Sequence, residues 1–379
     1  MKKTNPYIVV TVILFGLLLA VPGLLLFALK GPQQSGENRA MAEMPAFKFS
    51  KMDAFPSQFD RYVNDHFPFR NLLLDLSFQY SLINHQSPIP QVVIGKNDFL
   101  FSGEAERTLF EGTLDFSEEK MKIIVDELLE RQARYRREGI RFYVVVAPTA
   151  YEIYPEYLPD YLQRINETAT DRFCRMMSEK APQIPFLYLK DKMLYNKQFG
   201  RLYYKNDNHW NPLGGYYATD AILNLMRHDF PQLPDNINDK FTLTPYIRTF
   251  GNLGDMLVVR NQFRNLATDT DYKVSFLDSV QYALCENPER KYEAPADFAY
   301  PWEYEWRYTT NQEQHPKILV IRDSYCAAVI PFLTPWFKES VFIFDAWKYG
   351  GNDDIIRQEK PDIILLLIYE PHIRNIIGK

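Results

Sequence analysis

The longest unbroken run of apolar positions lies at the start of the chain. Tyr7 to Leu29 reads YIVVTVILFGLLLAVPGLLLFAL, 23 residues without a charge, behind Lys2 and Lys3. A bilayer core takes roughly 20 apolar residues as a helix, so the pattern predicts a spanning helix. The two lysines predict a cytoplasmic amino terminus. A cleaved signal peptide would share the basic start, but its apolar stretch runs only about 7–15 residues and ends at a small-x-small site. No such site precedes Lys30. Residues 1–30 are therefore expected to anchor the chain, with the remainder outside the cytoplasm.

Beyond the anchor the pattern turns polar. Gly31 to Phe47 is rich in small and polar residues and reads, with the positions up to 57, as a tether. In QFDRYVNDHFPFRNLLLDLS, Gln58 to Ser77, Pro68 separates two helical segments, and Leu72, Leu73 and Leu76 share a side of the second. Gln91 to Phe101 alternates as a hairpin about Gly95–Asp98. A helix with Ser117 as its cap and Gly139 as its stop leads into IRFYVVVAP, a β-branched run typical of a strand buried on both faces. A helix over 168–180 and a strand over 185–189 continue the alternation, and KILVIRDS, VFIFDAW and PDIILLLIY repeat the strand pattern. Such alternation predicts an α/β fold with a parallel sheet between helical layers. Residues 231–314 are irregular, aromatic and rich in Pro and Asn. They are expected to form an insertion lining a substrate cleft, within one domain over 58–379.

Composition narrows the function by exclusion. The chain is 46% hydrophobic, with 27 Phe and 25 Tyr, enough for one large α/β domain. A net charge of −5 without any basic block excludes an ordinary nucleic-acid surface. Three cysteines, Cys174, Cys285 and Cys326, are too few for a disulfide framework or a zinc ribbon. Mostly free thiols are expected, with room for one bridge in an exported domain. There is no P-loop, dinucleotide glycine motif or paired His or Cys ligand spacing, so no metal and no cofactor are expected.

Two segments carry candidate chemistry. In NDNHWNPLGGYYATDAI, Asp207 and His209 flank one residue, and in extended backbone they point to the same side. A carboxylate so placed holds an imidazole in one tautomer, as in a nucleophile–base–orienter triad, although a buried local Asp–His pair shows the same spacing. Asn211-Pro212 begins a helix, and Gly214 and Gly215 permit its close approach to a neighbour. In KILVIRDSYCAAVIPFL an apolar strand leads into Ser324 and a small-residue helix start. That is a place for a nucleophile near helix N–H groups, and equally a place where Ser merely caps. Asp278-Ser279 repeats the dipeptide after a shorter strand. His66 and Arg70 sit in DHFPFR, while His85, His228, His315 and His372 have no matching constellation.

Taken together, DHFPFR, a strand ending in AP followed by IYPEYLP, D-x-H-W-N-P-L-G and LVIRDSY resemble the DHHW family and the periplasmic alginate O-acetyltransferases among SGNH-hydrolase-like enzymes. The resemblance spans roughly Phe59 to Tyr369 and is weakest over 231–314. It implies a three-layer SGNH-type sandwich and a triad of Ser324 as nucleophile, His209 as base and Asp207 as orienting carboxylate. Asn208 replaces the middle His of DHHW, Arg322 stands where ordinary SGNH hydrolases have Gly, and Ala150 replaces a Lys found in many relatives. Arg322, Trp210, Asn211 and Tyr325 are the candidates for oxyanion or substrate contacts. The resemblance further implies acyl transfer to a cell-surface polysaccharide in a bacterial envelope, with a multispanning membrane acyltransferase as acyl-supplying partner. An esterase with the same triad, or a glycan-binding assembly factor without catalysis, are the alternatives.

Overall fold

The computed structural model describes residues 6–29, 41–49, 52–84, 86–87, 89–249, 251–257, 268–277, 282–284, 291–350 and 352–377. Much of the expected tether, Cys285, His85 and Asp278-Ser279 lie outside these residues. The chain divides into two units, 1–89 with 255–262, and 90–254 with 263–379.

In the first unit, helix α1 (Pro6–Ala28) carries the uncharged run. Its side chains at 6, 19, 22, 23 and 25–28 are not described, and counting only described residues no helix is long and apolar enough to cross a membrane. Helices α2 (Phe55–His66) and α3 (Arg70–Ile83) flank a turn containing Pro68, in which Phe69 takes a φ of 65°. Leu72, Leu73 and Leu76 of α3 are exposed. The His66 ring Nδ1 lies 3.0 Å from the Tyr62 carbonyl oxygen, one turn back.

The second unit opens with the expected hairpin, β1 (Val92–Ile94) and β2 (Leu100–Ser102). Its turn uses positive φ at Asn97 and Asp98, residue types that tolerate it. Then come α4 (Glu104–Glu111), α5 (Glu118–Arg137), β3 (Arg141–Ala147), the single turn α6 (Ala150–Ile153), α7 (Ala169–Lys180), β4 (Phe186–Tyr188), α8 (Lys190–Asn196) and α9 (Pro212–Met226). Ser117 caps α5 by accepting from the Lys120 N–H, and Thr168 and Asp171 form a capping box on α7.

Residues 231–314 are more regular than expected. They form β5 (Phe241–Arg248) paired antiparallel with β6 (Asp269–Phe276), followed by β7 (Tyr282–Leu284) and β8 (Glu305–Thr310). Last come β9 (Lys317–Arg322), β10 (Glu339–Phe344) and β11 (Ile363–Tyr369). The main sheet runs β4-β3-β11-β9-β10-β8-β7. Its first five strands are parallel, and β8 and β7 extend it antiparallel. Mixed polar and aromatic composition (EWRYTT in β8, whose residues are mostly half-buried) hides these strands in sequence, because strands toward the end of a sheet bury only part of their surface.

Centrality explains the pattern of β11, in which all seven residues are buried. Alternate residues divide between two cores. Tyr143, Val145, Val320, Leu365 and Phe342 pack on the face covered by α8 and α9. Val144, Val146, Ile321, Leu366 and Val341 pack on the face covered by α5 and α7. The candidate chemistry stands on the α9 side, at the carboxyl ends of the parallel strands, where open α/β sheets place ligands.

Candidate active site

Asp207 and His209 meet through a compact loop rather than an extended strand. A bridge joins Tyr203 to Trp210, and the Tyr204 N–H donates to the His209 carbonyl at 3.2 Å. The chain then turns at once into α9. Asn211 caps that helix by accepting from the Gly214 N–H at 3.1 Å, and Pro212 occupies its first turn. A Cβ on Gly215 would lie 2.0 Å from the Ala328 carbonyl oxygen, so this glycine lets the α9 start sit directly against the turn that carries Ser324.

That turn differs from the expected helix. Residues Ser324–Ala328 form a 3₁₀ segment, followed by one α-turn over Ile330–Leu333. Pro331 accounts for the break, since it lacks an N–H and its ring crowds the carbonyl four residues back. Asp323, not Ser324, is the cap, accepting from the Tyr325 N–H at 2.9 Å. Its other oxygen accepts from the Tyr369 N–H at 2.6 Å and from the Tyr349 hydroxyl, with His372 Nδ1 3.5 Å away. Burial raises the Asp323 pKa, but His372, Tyr349 and the Tyr369 N–H outweigh it and hold the carboxyl below its ordinary value. Ser324 is thereby left free of capping duty.

The loop and the turn bring three side chains into line. Ser324 Oγ lies 2.8 Å from His209 Nε2, and His209 Nδ1 lies 2.7 Å from Asp207 Oδ1. The same oxygen accepts from the His209 N–H at 3.1 Å. Asp207 Oδ2 accepts from Arg248 Nη2 at 2.6 Å and from the Asn252 N–H at 3.3 Å. Burial pushes the Asp207 carboxyl up, yet His209 and Arg248 more than reverse this and hold it at about 2. It is thus ionised throughout the neutral range and fully hydrogen-bonded.

Sequence reasoning missed Arg248, which sits 41 residues from Asp207 at the end of β5. Its guanidinium stacks on Tyr204, 3.9 Å from the ring centroid. The β5–β6 hairpin is tied to the 201–205 segment by the Tyr204 hydroxyl on Asp271 at 2.7 Å and by Arg201 on Asp269. Asn208, the departure from DHHW, pairs with Asn252: its N–H donates to Asn252 Oδ1 at 3.1 Å, and Asn252 Nδ2 donates back to Asn208 Oδ1. Buried Glu106 was also unforeseen. Burial lifts its carboxyl to about 7 against the opposing pull of Tyr369, Ser102, Asn208 and His209.

The remaining candidates are buried and held by protein partners. Trp210 Nε1 donates to the Tyr325 carbonyl at 2.7 Å. Tyr325 stacks on Tyr369 with ring centroids 4.1 Å apart and donates its hydroxyl to the Asn208 carbonyl. Asn211 Nδ2 donates to the Arg201 carbonyl at 2.6 Å. Arg322 is 0% exposed and donates to the Glu303 carbonyl at 2.6 Å. Ala150 is buried in α6. Of the other histidines, His315 Nδ1 lies 2.8 Å from the Trp336 carbonyl oxygen and His228 is exposed. Cys174 and Cys326 are free thiols. Among the described residues no His, Cys, Asp and Glu cluster is arranged to hold a metal.

Ser324 and His209 line an open cleft of about 490 Å³ whose walls include Trp306, Glu303, Asp271, Tyr272 and Pro331. This arrangement can pass a proton from a hydroxyl to an imidazole supported by a carboxylate.

Comparison with known proteins places the chain in a family. The chain is 23% identical over 172 residues to the "probable alginate O-acetylase AlgJ" of Azotobacter vinelandii, an alignment covering 45% of this chain and 42% of that protein. The chain thus spans less than half the length of this relative. Bacillus cereus PatB1 superposes with a TM-score of 0.55 at 16% identity, covering 76% of this chain and 97% of PatB1. A DHHW family protein from Eubacterium siraeum superposes with a TM-score of 0.50 at 16% identity, covering 76% of this chain and all of that one. At such identities these two likenesses speak for the fold alone, an SGNH-like α/β sandwich. The family model of the SGNH hydrolase-like domain of acetyltransferase AlgX matches residues 92–281, half of the 379 residues, and the chain belongs to that family.

Proposed function

We propose that this chain is an extracytoplasmic O-acyltransferase, an O-acetyltransferase in the first instance, that modifies a polysaccharide through an acyl-Ser324 intermediate. The observation that carries the reading is the run of 2.8 Å and 2.7 Å contacts from Ser324 through His209 to Asp207 at the wall of an open cleft. Membership of the acetyltransferase family supports it. In the first half-reaction Ser324 Oγ attacks the acyl carbonyl while His209 Nε2 takes its proton and delivers it to the departing donor group. In the second, His209 removes the proton of a sugar hydroxyl, whose oxygen attacks the acyl carbon, and Ser324 leaves with that proton. Asp207 keeps the imidazole tautomer and balances its transient charge. The AlgJ relative is named for alginate, which supports a polysaccharide as acceptor here.

The 23-residue apolar α1 supports a single-pass anchor, since it measures about 35 Å against a hydrocarbon core of about 30 Å. An acyl donor made inside the cell must reach a domain outside it. A multispanning membrane acyltransferase is the partner that would deliver it.

The test is intact-mass analysis of the detergent-solubilised chain after incubation with p-nitrophenyl acetate. An acetyl adduct that disappears in Ser324→Ala, together with loss of transfer by at least about 10³-fold, is the expected result. An adduct that persists in Ser324→Ala would remove Ser324 as nucleophile. Rapid loss of the adduct to water, unaltered by any glycan, would favour an esterase.

A further inference from the structure

Arg322 occupies a costly position. It is fully buried beside the nucleophile turn, desolvation lowers its pKa, and its Nε has no hydrogen-bond partner among the described residues. Its nearest carboxylate oxygen belongs to Glu303, at 3.7 Å. Its Nη groups donate to the Glu303 and Asp323 carbonyls at 2.6 and 3.4 Å, so it is held by backbone rather than by a close ion pair. Its flat face lies 4.1 Å from the centroid of the Trp306 ring, with Phe344 at 4.7 Å. Trp306 Nε1 donates to the Trp302 carbonyl at 3.1 Å. The indole is therefore fixed from beneath and along one edge, while it lines the cleft that holds Ser324 and His209.

A rigid aromatic plane at the rim of a nucleophile's cleft suits the C–H face of a pyranose, the same amphipathic logic that favours aromatic rings at wet interfaces. The neighbouring polar groups narrow the class of sugar. Glu303 shares the wall with Trp306 and is a carboxylate able to accept from sugar hydroxyls, whereas Asp271 on the same wall already accepts from the Tyr204 and Tyr246 hydroxyls. The described lining counts three carboxylates (Asp207, Asp271 and Glu303) against Arg248, engaged with Asp207, and Arg322 stands behind Trp306 3.7 Å from Glu303, so carboxylates still outnumber guanidiniums. A polyanionic chain would meet like charge there.

We propose that Trp306, seated on Arg322 and flanked by Glu303, is the acceptor subsite of this enzyme, and that it takes an uncharged, hydroxyl-rich pyranose rather than a uronate. The proposal rests on the acyl-Ser324 reading above. Arg322 acts as a positioning residue through the indole and does not itself touch the acyl group.

The experiment gives the acetylated full-length chain in detergent three hexasaccharides: cellohexaose, chitohexaose and oligogalacturonate. A neutral hexamer is expected to discharge acetyl-Ser324 with a rate constant per unit concentration at least tenfold above that of the uronate. Trp306→Ala is expected to raise the KM for that hexamer at least tenfold with less than a threefold change in kcat. Trp306→Phe, which keeps a ring, should recover most of the loss, and Glu303→Lys should narrow the neutral-over-uronate preference. Preference for the uronate, or an unchanged KM in Trp306→Ala, overturns the subsite. If acetyl-Ser324 forms but no hexamer discharges it, the subsite falls while the nucleophile stands. If Ser324 is never acetylated, the nucleophile falls and the subsite is read separately. Quenching of tryptophan fluorescence by the neutral hexamers in the wild type, lost in Trp306→Phe, supports it, and no quenching overturns it.

Discussion

The centre of the sheet and the segment inserted before it are stabilised by different physics. In β3, β11 and β9 the inward residues are apolar, fully buried and paired with strand neighbours by parallel ladders. Their contribution is additive and tolerant of exchange between similar side chains. The β5–β6 pair and β8 add to their own ladders and partial core packing a set of directional contacts: Arg248 on Asp207, Tyr204 on Asp271, Arg201 on Asp269 and Arg322 beneath Trp306. Each joins distant positions, and all but the Arg201–Asp269 pair involve a residue that lines the cleft. The sheet therefore sets where the site stands, and the insertion sets how the site is tuned. Damage to the first should appear as lost stability, and damage to the second as lost activity in a folded protein.

That division is broken most severely at the junction itself. Asp207→Asn retains the shape of the loop but removes the carboxylate 2.7 Å from His209 Nδ1, to which the proposed reading gives the orienting role. Transfer should fall on the order of 10³–10⁴-fold with little change in melting temperature, as steady-state acetylation and thermal denaturation would show. Activity within tenfold of the wild type would mean that another group orients the imidazole. A core change should do the reverse. Leu366→Ala in β11 leaves a cavity between packed layers and should lower unfolding free energy by about 2–5 kcal/mol, measured by urea denaturation. The surviving folded fraction should acetylate Ser324 normally.

Arg248→Met sharpens the comparison at a smaller scale. Loss of a charged, hydrogen-bonded partner to Asp207 should cost about 10–100-fold in kcat, with the β5–β6 hairpin still folded. Asp207, held at about 2, stays ionised across the neutral range, so this loss should be much the same throughout it. Arg248→Lys preserves the charge and should recover most of the loss. An unchanged kcat in Arg248→Met would reduce Arg248 to a packing role.

Local order was legible in the chain because its causes are local. The caps Ser117 and Thr168, the stop at Gly139 and the unbroken apolar run of β11 are readable from neighbouring residues, since short-range sterics and burial on both faces suffice to produce them. Asp207 and His209 were visible for the same reason, two residues apart. Other features had no local signal. That β8 pairs with β10, and so carries Trp306 onto Arg322, depends on a partner 36 residues away in register with it (Trp306 opposite Phe342). The break at Pro331 is itself local, but the seating of the 3₁₀ turn against Gly215, which brings Ser324 to His209, is not.

Read alone, the sequence determined the α/β alternation, the apolar amino-terminal helix and the three residues to suspect, all of them consequences of periodicity and near-neighbour chemistry. Tertiary structure alone decided that Ser324 lies 2.8 Å from a histidine 115 positions earlier, that Arg248 steadies the carboxylate, and that a buried arginine supports a half-buried indole. Those contacts exist only after the sheet has closed and brought distant charges and rings within a few ångströms, the range over which hydrogen bonds and ring contacts act.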